Sequence, residues 1–195
     1  MRTKHVVVVR YDQRWKQWFE DLKERLVSFL GDTALRIEHV GSTSVEGMSA
    51  KPIIDIDVVI KDAAHLAEAV RKLSDAGYVH EGDLGIEGRE AFCYVGDTQL
   101  PLHHLYVCPE DSPELKRHIA FREWLRSHPE EAEEYSRVKE RGARMFPYNI
   151  DGYIEYKSPF IEDAYAQIKA EEPDTALTVV PDYVENSEKE DQQHA

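Results

Sequence analysis

The sequence predicts an α/β (α+β) fold: a mixed β-sheet flanked by helices, followed by a helical C-terminal part. Three observations carry this expectation. Helical and strand spacings alternate over the first 76 residues, three short strand candidates separated by glycines follow, and helical spacing alone runs from Ser112 to about residue 170. A chain of 195 residues is long enough for one domain with a real core and too short for two comfortable ones. The expected organisation is one domain over residues 1–170 and an acidic, flexible tail over 171–195.

The elements follow in order. Trp15, Trp18, Phe19, Leu22, Leu26, Phe29 and Leu30 recur at three- and four-residue spacing and predict a helix over 13–30. Asp12 is its expected N-cap and Gly31 its stop, and the aromatic residues read as core rather than as a base-stacking platform. "ALRIEHV" (34–40) alternates and reads as a strand, as does "PIIDIDVVI" (52–60). Ala63, Leu66, Ala67, Val70 and Leu73 restore helical spacing over 62–76, before Gly77. "YVHEGD" (78–83), "EAFCYVG" (90–96) and "LPLHHLYVC" (100–108) are strand candidates, with Gly82, Gly85, Gly88 and Gly96 marking turns. Ser112-Pro113 reads as N-cap plus N1 of a helix through Leu115, Ile119 and Leu125. Pro129 opens another through Ala132, Tyr135, Val138 and Met145. A last helix lies within 149–170, with a new first turn expected at Ser158-Pro159. From about residue 172 the pattern is lost: "LTVVPDYV" reads as a short extended piece and the end as disordered.

Composition narrows the function classes. An apolar share of 42% and a charged share of 32% are ordinary for a soluble globular chain. No apolar run approaches the roughly 18 residues of a membrane span, and the run after the basic start is too short for a signal peptide. Two cysteines, Cys93 and Cys108, exclude a disulfide framework and make a reduced cytoplasmic setting the expectation. They fall in strands and lack any C-x₂-C element, so they read as small buried thiols, not zinc ligands. A net charge of −14 argues against general nucleic-acid binding. Half of that charge lies in residues 171–195, with eight acids and one lysine, so the body still has room for a local basic pocket.

The informative stretch is "HVGSTSVEGMSAKPIIDIDVVI", residues 39–60. Strand alternation sets Asp55 and Asp57 on one face, about 6.5–7 Å apart along the strand. Two like charges side by side repel, and Asp is a poor strand former. A divalent cation shared between the two carboxylates would repay that cost; the plainer alternative is a strand with one face in water. Gly41-Ser42 follows a strand and precedes Asp55 by fourteen residues. Glycine lets backbone N–H groups approach a phosphate, and the Ser42 and Thr43 hydroxyls add donors. A P-loop does not fit: Gly41 to Gly47 is one residue too long, and Lys51 is not adjacent to the second glycine.

This block resembles the signature of the GrpB family, a run of the type His-Ile-Gly-Ser-Thr-Ser-Val-Pro-Gly followed by Lys-Pro-Ile-Ile-Asp-Ile. The resemblance continues through "GYVHEGDLGIEGREAF", "HHLYVC", "FREWLRSHPEEAEEYSRVK" and "EYKSPFIEDA", and covers about residues 8–170. Glu46 stands where the family usually has proline, which sets a negative charge near the expected phosphate site. The resemblance implies a nucleotidyltransferase-like fold, with Gly-Ser after one strand and Asp-x-Asp on the next. It also implies two Mg²⁺ ions, a third carboxylate on a later strand and in-line attack on a nucleotide's α-phosphate. Some relatives are fused to dephospho-CoA kinase, which implies a nucleotide or coenzyme context.

The strand expected to supply the third carboxylate, "LPLHHLYVC", has no Asp or Glu. His104 either replaces it as metal ligand or general base, or lines an anion pocket with Tyr106. Lys51, Arg89 and Arg122 match family positions and are the candidate phosphate contacts, with an internal salt bridge as the competing role for Arg122. Lys139 and Lys157 read as residues of solvated helix faces. The leading expectation is a nucleotidyltransferase that binds a nucleoside triphosphate with Mg²⁺ (or Mn²⁺) through Gly41, Ser42, Thr43, Asp55 and Asp57. The alternative is a non-catalytic module that binds a nucleotide or another phosphorylated small molecule. A third reading is an interaction protein whose partner is an enzyme of coenzyme metabolism.

Overall fold

Helix α1 (Arg14–Leu30) opens the fold, and its stripe of Trp15, Phe19, Leu22, Leu26 and Leu30 is buried. The N-cap position falls on Gln13, with no side-chain cap, rather than on the expected Asp12, which instead accepts the Arg14 N–H at 2.9 Å from one residue earlier; Gly31 closes the helix by donating to the Val27 carbonyl. The structure is a computed structural model and describes residues 5–96 and 99–171. The expected disordered end and the extended piece at "LTVVPDYV" lie outside the described residues.

Five strands follow the predicted segments: β1 (Arg36–Val40), β2 (Ile54–Ile60), β3 (Tyr78–Gly82), β4 (Glu90–Tyr94) and β5 (His103–Pro109). They form one mixed sheet in the order β1-β2-β5-β4-β3. The central pair β2/β5 is parallel, and the other three pairs are antiparallel. The parallel pair arises because α2 (Leu66–Asp75), β3 and β4 intervene in the chain between β2 and β5.

The sheet is covered on both sides. One face of β2, formed by Ile54, Ile56, Val58 and Ile60, joins Leu105, Val107 and Phe92 against α1 and α2 in the main core. The opposite face packs Val59 and Cys108 against Leu115 of α3 (Pro113–Ser127). Ser112 caps α3 by accepting the Leu115 N–H, with Pro113 in the first turn, as the sequence predicts. α3, α4 (Pro129–Met145) and α5 (Ile150–Glu171) form a second apolar cluster, joined by Val45 and Met48 from the loop after the Gly-Ser turn. Among the described residues no helix is long and apolar enough to cross a membrane.

One boundary is corrected. α5 does not restart at Ser158-Pro159; it is continuous from Ile150 to Glu171 with Pro159 inside. Both Pro159 and Glu155, the residue whose carbonyl loses its donor, are exposed, so the lost bond lies on the solvent side of the helix. Residues are buried on both sides of the proline: Gly152 and Tyr153 before it, with Tyr153 close to Gly142 of α4, and Ile161, Ala164 and Tyr165 after it in the second apolar cluster. The true start is capped by Asn149, whose side-chain carbonyl accepts the Gly152 N–H at 3.0 Å.

Candidate functional site

Sheet register assembles the site. β1 sets Val40 opposite Asp55 and Glu38 opposite Asp57, while β5 sets His104 beside Asp55 and Tyr106 beside Asp57. Paired residues share a face, so Glu38, Asp55, Asp57, His104 and Tyr106 lie together beneath α3. The plainer expectation for β2, one face in water, fails at Asp57, which is fully buried.

Asp55 accepts a hydrogen bond from His104 Nδ1 at 2.8 Å. Burial pushes its carboxyl up, but the His104 hydrogen bond and attraction to His104, Lys51 and His118 outweigh burial and hold it below the usual range. Its other oxygen lies directly against Gly41, where any β-carbon would collide with it. Gly41 therefore has a reason the sequence does not show: it makes room for the Asp55 carboxylate. Asp57 accepts from His118 Nδ1 at 2.7 Å through Oδ2, whereas Oδ1 is buried with no hydrogen-bond partner. His118 reaches Glu114 with its other nitrogen at 3.2 Å, and Glu114 in turn pairs with buried Arg117 at 2.7 Å. Burial disfavours the His118 cation, but Asp57 and Glu114 override it and push its pKa up to about 10. The same contacts overcome burial at Glu114 and hold it down to about 2. A cationic histidine therefore sits between two carboxylates.

The turn after β1 is a single 3₁₀ turn, Ser42–Ser44, tied by Ser44 Oγ donating to the Gly41 carbonyl at 2.6 Å. Thr43 points inward: its hydroxyl donates to the Ile53 carbonyl and meets His39 Nε2 at 3.0 Å. His39 stacks on Phe19, and burial holds its pKa down to about 4. Lys51 lies beside the Asp strand with its Nζ over the Tyr153 ring at 6.0 Å. Burial lowers its pKa, with Asp55 opposing and Lys157 reinforcing the shift. Glu46, in the family's proline position, pairs with Lys16 at 2.7 Å on the surface.

Gly41, Ser42, Lys51, Asp55, Asp57 and His104 thus surround one end of β2. The two arginines sit farther along the face and are engaged. Arg122 binds Glu38 at 2.8 Å and the His39 carbonyl at 2.9 Å, so it ties α3 to β1. Arg89 is buried with its guanidinium 4.3 Å from the Tyr106 ring centroid. Cys108 is buried and Cys93 half-buried, both as free thiols.

Sequence reasoning missed four residues: Glu38, Glu114, His118 and Lys139. Lys139 does not lie on a solvated face; it is buried in α4 with Ala132, Tyr135 and Gly142. The signal was present, because 132, 135, 139 and 142 form one helical stripe. Glu38 becomes legible only with the β1/β2 register. Glu114 and His118 are one helical turn apart, which orients both toward the same strand.

The donor chemistry fits a hard divalent cation. Asp55 and Asp57 offer carboxylate oxygens on one face, and Asp57 Oδ1 lacks a partner in a buried setting. Among the described residues no three His, Cys, Asp or Glu side chains converge as a preformed metal-binding group. Phosphate oxygens and water would complete the coordination.

The family model described as GrpB protein matches residues 5–167. This chain belongs to the GrpB family. It is 34% identical over 164 residues to UPF0157 protein YqkA of Bacillus subtilis, covering 84% of this chain and 47% of YqkA. It is 36% identical over 169 residues to UPF0157 protein BH1888 of Halalkalibacterium halodurans, covering 85% of this chain and 83% of that protein. The GrpB-family chain therefore spans about half of YqkA and most of BH1888. The crystal structure of conserved protein GrpB from Enterococcus faecalis superposes with a TM-score of 0.75 at 30% identity, covering 85% of this chain and 98% of that one. A more distant match, 27% identical over 183 residues, is the dephospho-CoA kinase of Mycolicibacterium paratuberculosis, of which this GrpB domain spans 45%.

Proposed function

We propose that this GrpB-family chain binds a nucleoside triphosphate together with Mg²⁺ (or Mn²⁺) and transfers a nucleotidyl group to an acceptor. The observation that supports this reading best is Asp57 Oδ1, a buried carboxylate oxygen without a partner, on the same face as Asp55, whose own carboxylate lies against Gly41 of the Gly-Ser turn. The Ser42 hydroxyl, half-buried in the turn, serves as a phosphate donor beside the Gly41 backbone. A divalent cation held by Asp55 and Asp57 would supply charge neutralisation at the α-phosphate and the leaving group. His104 donates Nδ1–H to Asp55, which leaves Nε2 as an acceptor that takes the proton of the attacking acceptor group. The new bond joins the acceptor to the α-phosphorus, the α–β phosphoanhydride breaks, and pyrophosphate leaves. Arg122 and Arg89 act by positioning, through Glu38 and Tyr106.

The non-catalytic reading keeps one observation of its own. β5 presents His104 and Tyr106 in place of an acid, and His118 already balances Asp57. Binding of a phosphorylated metabolite without turnover would then be the function. The dephospho-CoA kinase match supports a coenzyme context for either reading, with an enzyme of coenzyme metabolism as the partner.

Titration calorimetry with ATP and GTP, with and without Mg²⁺, separates them. The transferase reading expects metal-dependent binding that is lost in Asp55→Ala/Asp57→Ala. Metal-independent binding that survives the double substitution would favour the non-catalytic module.

A further inference from the structure

α4 and α5 approach closely at Gly142, where a β-carbon would press on the rings of Tyr153 and Tyr156. Lys139 lies one turn earlier on the same buried face of α4. Its Nζ is 4.5 Å from the Tyr135 ring centroid, buried, and without a hydrogen-bond partner among the described residues. Burial disfavours the charged form of this amine, and an anion placed beside it would restore that charge and offset its lost hydration. Tyr153, on the facing helix, carries Lys51 over its ring, and Lys157 follows Tyr153 by one turn of α5. Lys51 and Lys157 are half-buried, whereas Lys139 is buried. The amines sense one another. Lys157 disfavours the charged form of both Lys51 and Lys139, and Asp55 favours it at both. Asp55, however, is already bonded to His104 and packed on Gly41, and the neighbouring Glu140 accepts from Ser49 Oγ.

We infer that Lys51, Lys139 and Lys157 form a receptor for a pyrophosphoryl group, with Lys139 at its base. Lys51 and Lys139 offer amine donors beside the Tyr153 and Tyr135 rings, Lys157 adds positive charge that both feel, and a diphosphate supplies several tetrahedral oxyanion acceptors and enough negative charge to restore the Lys139 ammonium. The inference deepens the nucleotide reading, because a triphosphate whose α-phosphate lies at Asp55 would extend its β- and γ-phosphates toward these lysines. It also stands without the metal, since the lysines bind the anion directly.

The test is calorimetric titration of the full chain with inorganic pyrophosphate in buffer free of metal and phosphate. The wild type binds, Lys139→Met weakens binding about tenfold or more, and Lys51→Met weakens it severalfold. Lys139→Met also melts at or above the wild-type temperature, because an apolar chain of similar length replaces a buried unpartnered amine. No pyrophosphate binding by the wild type, or unchanged affinity in a folded Lys139→Met, overturns the inference. If Lys139→Met does not fold, unchanged affinity in Lys51→Met overturns it instead. Asp55→Ala/Asp57→Ala keeps this failure apart from failure of the metal–nucleotide reading. It is expected to bind pyrophosphate at least as tightly as wild type while losing Mg²⁺-dependent ATP binding, and weakened pyrophosphate binding there counts against the lysine receptor.

Discussion

Gly41 has φ +68° and ψ −175°, a backbone region that is essentially reserved for glycine. A β-carbon there would also collide with the Asp55 carboxylate. Gly41→Ala therefore combines backbone strain with displacement of Asp55 from His104, and is expected to cost about 2–4 kcal/mol in urea denaturation. The collision and the strain are separable. Asp55→Ala removes the first and leaves the second, so Gly41→Ala/Asp55→Ala should be less destabilised than the sum of the single variants. Additive losses would show that the contact between turn and carboxylate carries no energy. At this scale the sequence was informative wherever the partners lie close in the chain. Asp55 and Asp57 announce themselves by alternation, and Gly41 by its turn. Their hydrogen-bond partners, His104 and His118, lie 49 and 61 residues away from them, and only the packed fold brings His118 to Asp57.

Elements were legible where one periodicity dominates. α1, β2 and α3 match their predicted spans to within a few residues, because stripe, alternation and cap agree. α5 shows where local rules lose to packing: proline signals a helix start, but buried residues on both sides of Pro159 keep the helix whole. The proline then remains a local defect on an exposed surface. Pro159→Ala supplies a donor for the Glu155 carbonyl and removes no buried contact, so it is expected to stabilise the protein by about 1–3 kcal/mol. Thermal denaturation would read this as a rise of several degrees. No rise, or a fall, would mean that α5 depends on the proline-induced geometry. The helical faces over the sheet were harder to read. α3 has a mixed stripe in which Glu114, Arg117 and His118 point inward, and a charged residue directed at a strand looks in sequence like a solvated one.

Across the whole molecule, two bases, half-buried His118 and buried Lys139, tilt stability with pH in opposite senses. His118 titrates near 10 in the fold against a usual 6.5, so its contribution is fully present below about 6.5 and is lost as pH rises through about 10. Lys139 has its pKa driven well below 10.5 by burial, with Lys157 adding to the shift and Asp55 and Glu140 opposing it. The unfolded chain then holds a proton that the fold releases, and the contribution of Lys139 grows with pH until the unfolded value is passed. Two other groups set the acid side. Glu114, held near 2 against a usual 4.5, loses its contribution as pH falls from about 4.5 through 2. His39, held near 4 against 6.5, loses its contribution as pH falls from about 6.5 through 4. The net alkaline slope of the wild type is a difference between His118 and Lys139, and substitutions resolve it. His118→Gln, which keeps a donor for Asp57 but cannot take up the proton, should make stability rise more steeply, or fall less, between pH 7 and 10. Lys139→Met should make it fall more steeply over the same interval. Urea denaturation of the three proteins at several pH values, in phosphate-free buffer so that the lysine receptor stays empty, measures both slopes. Slopes that move in the same direction, or do not move, would refute the assignment of opposed charge states to the two bases.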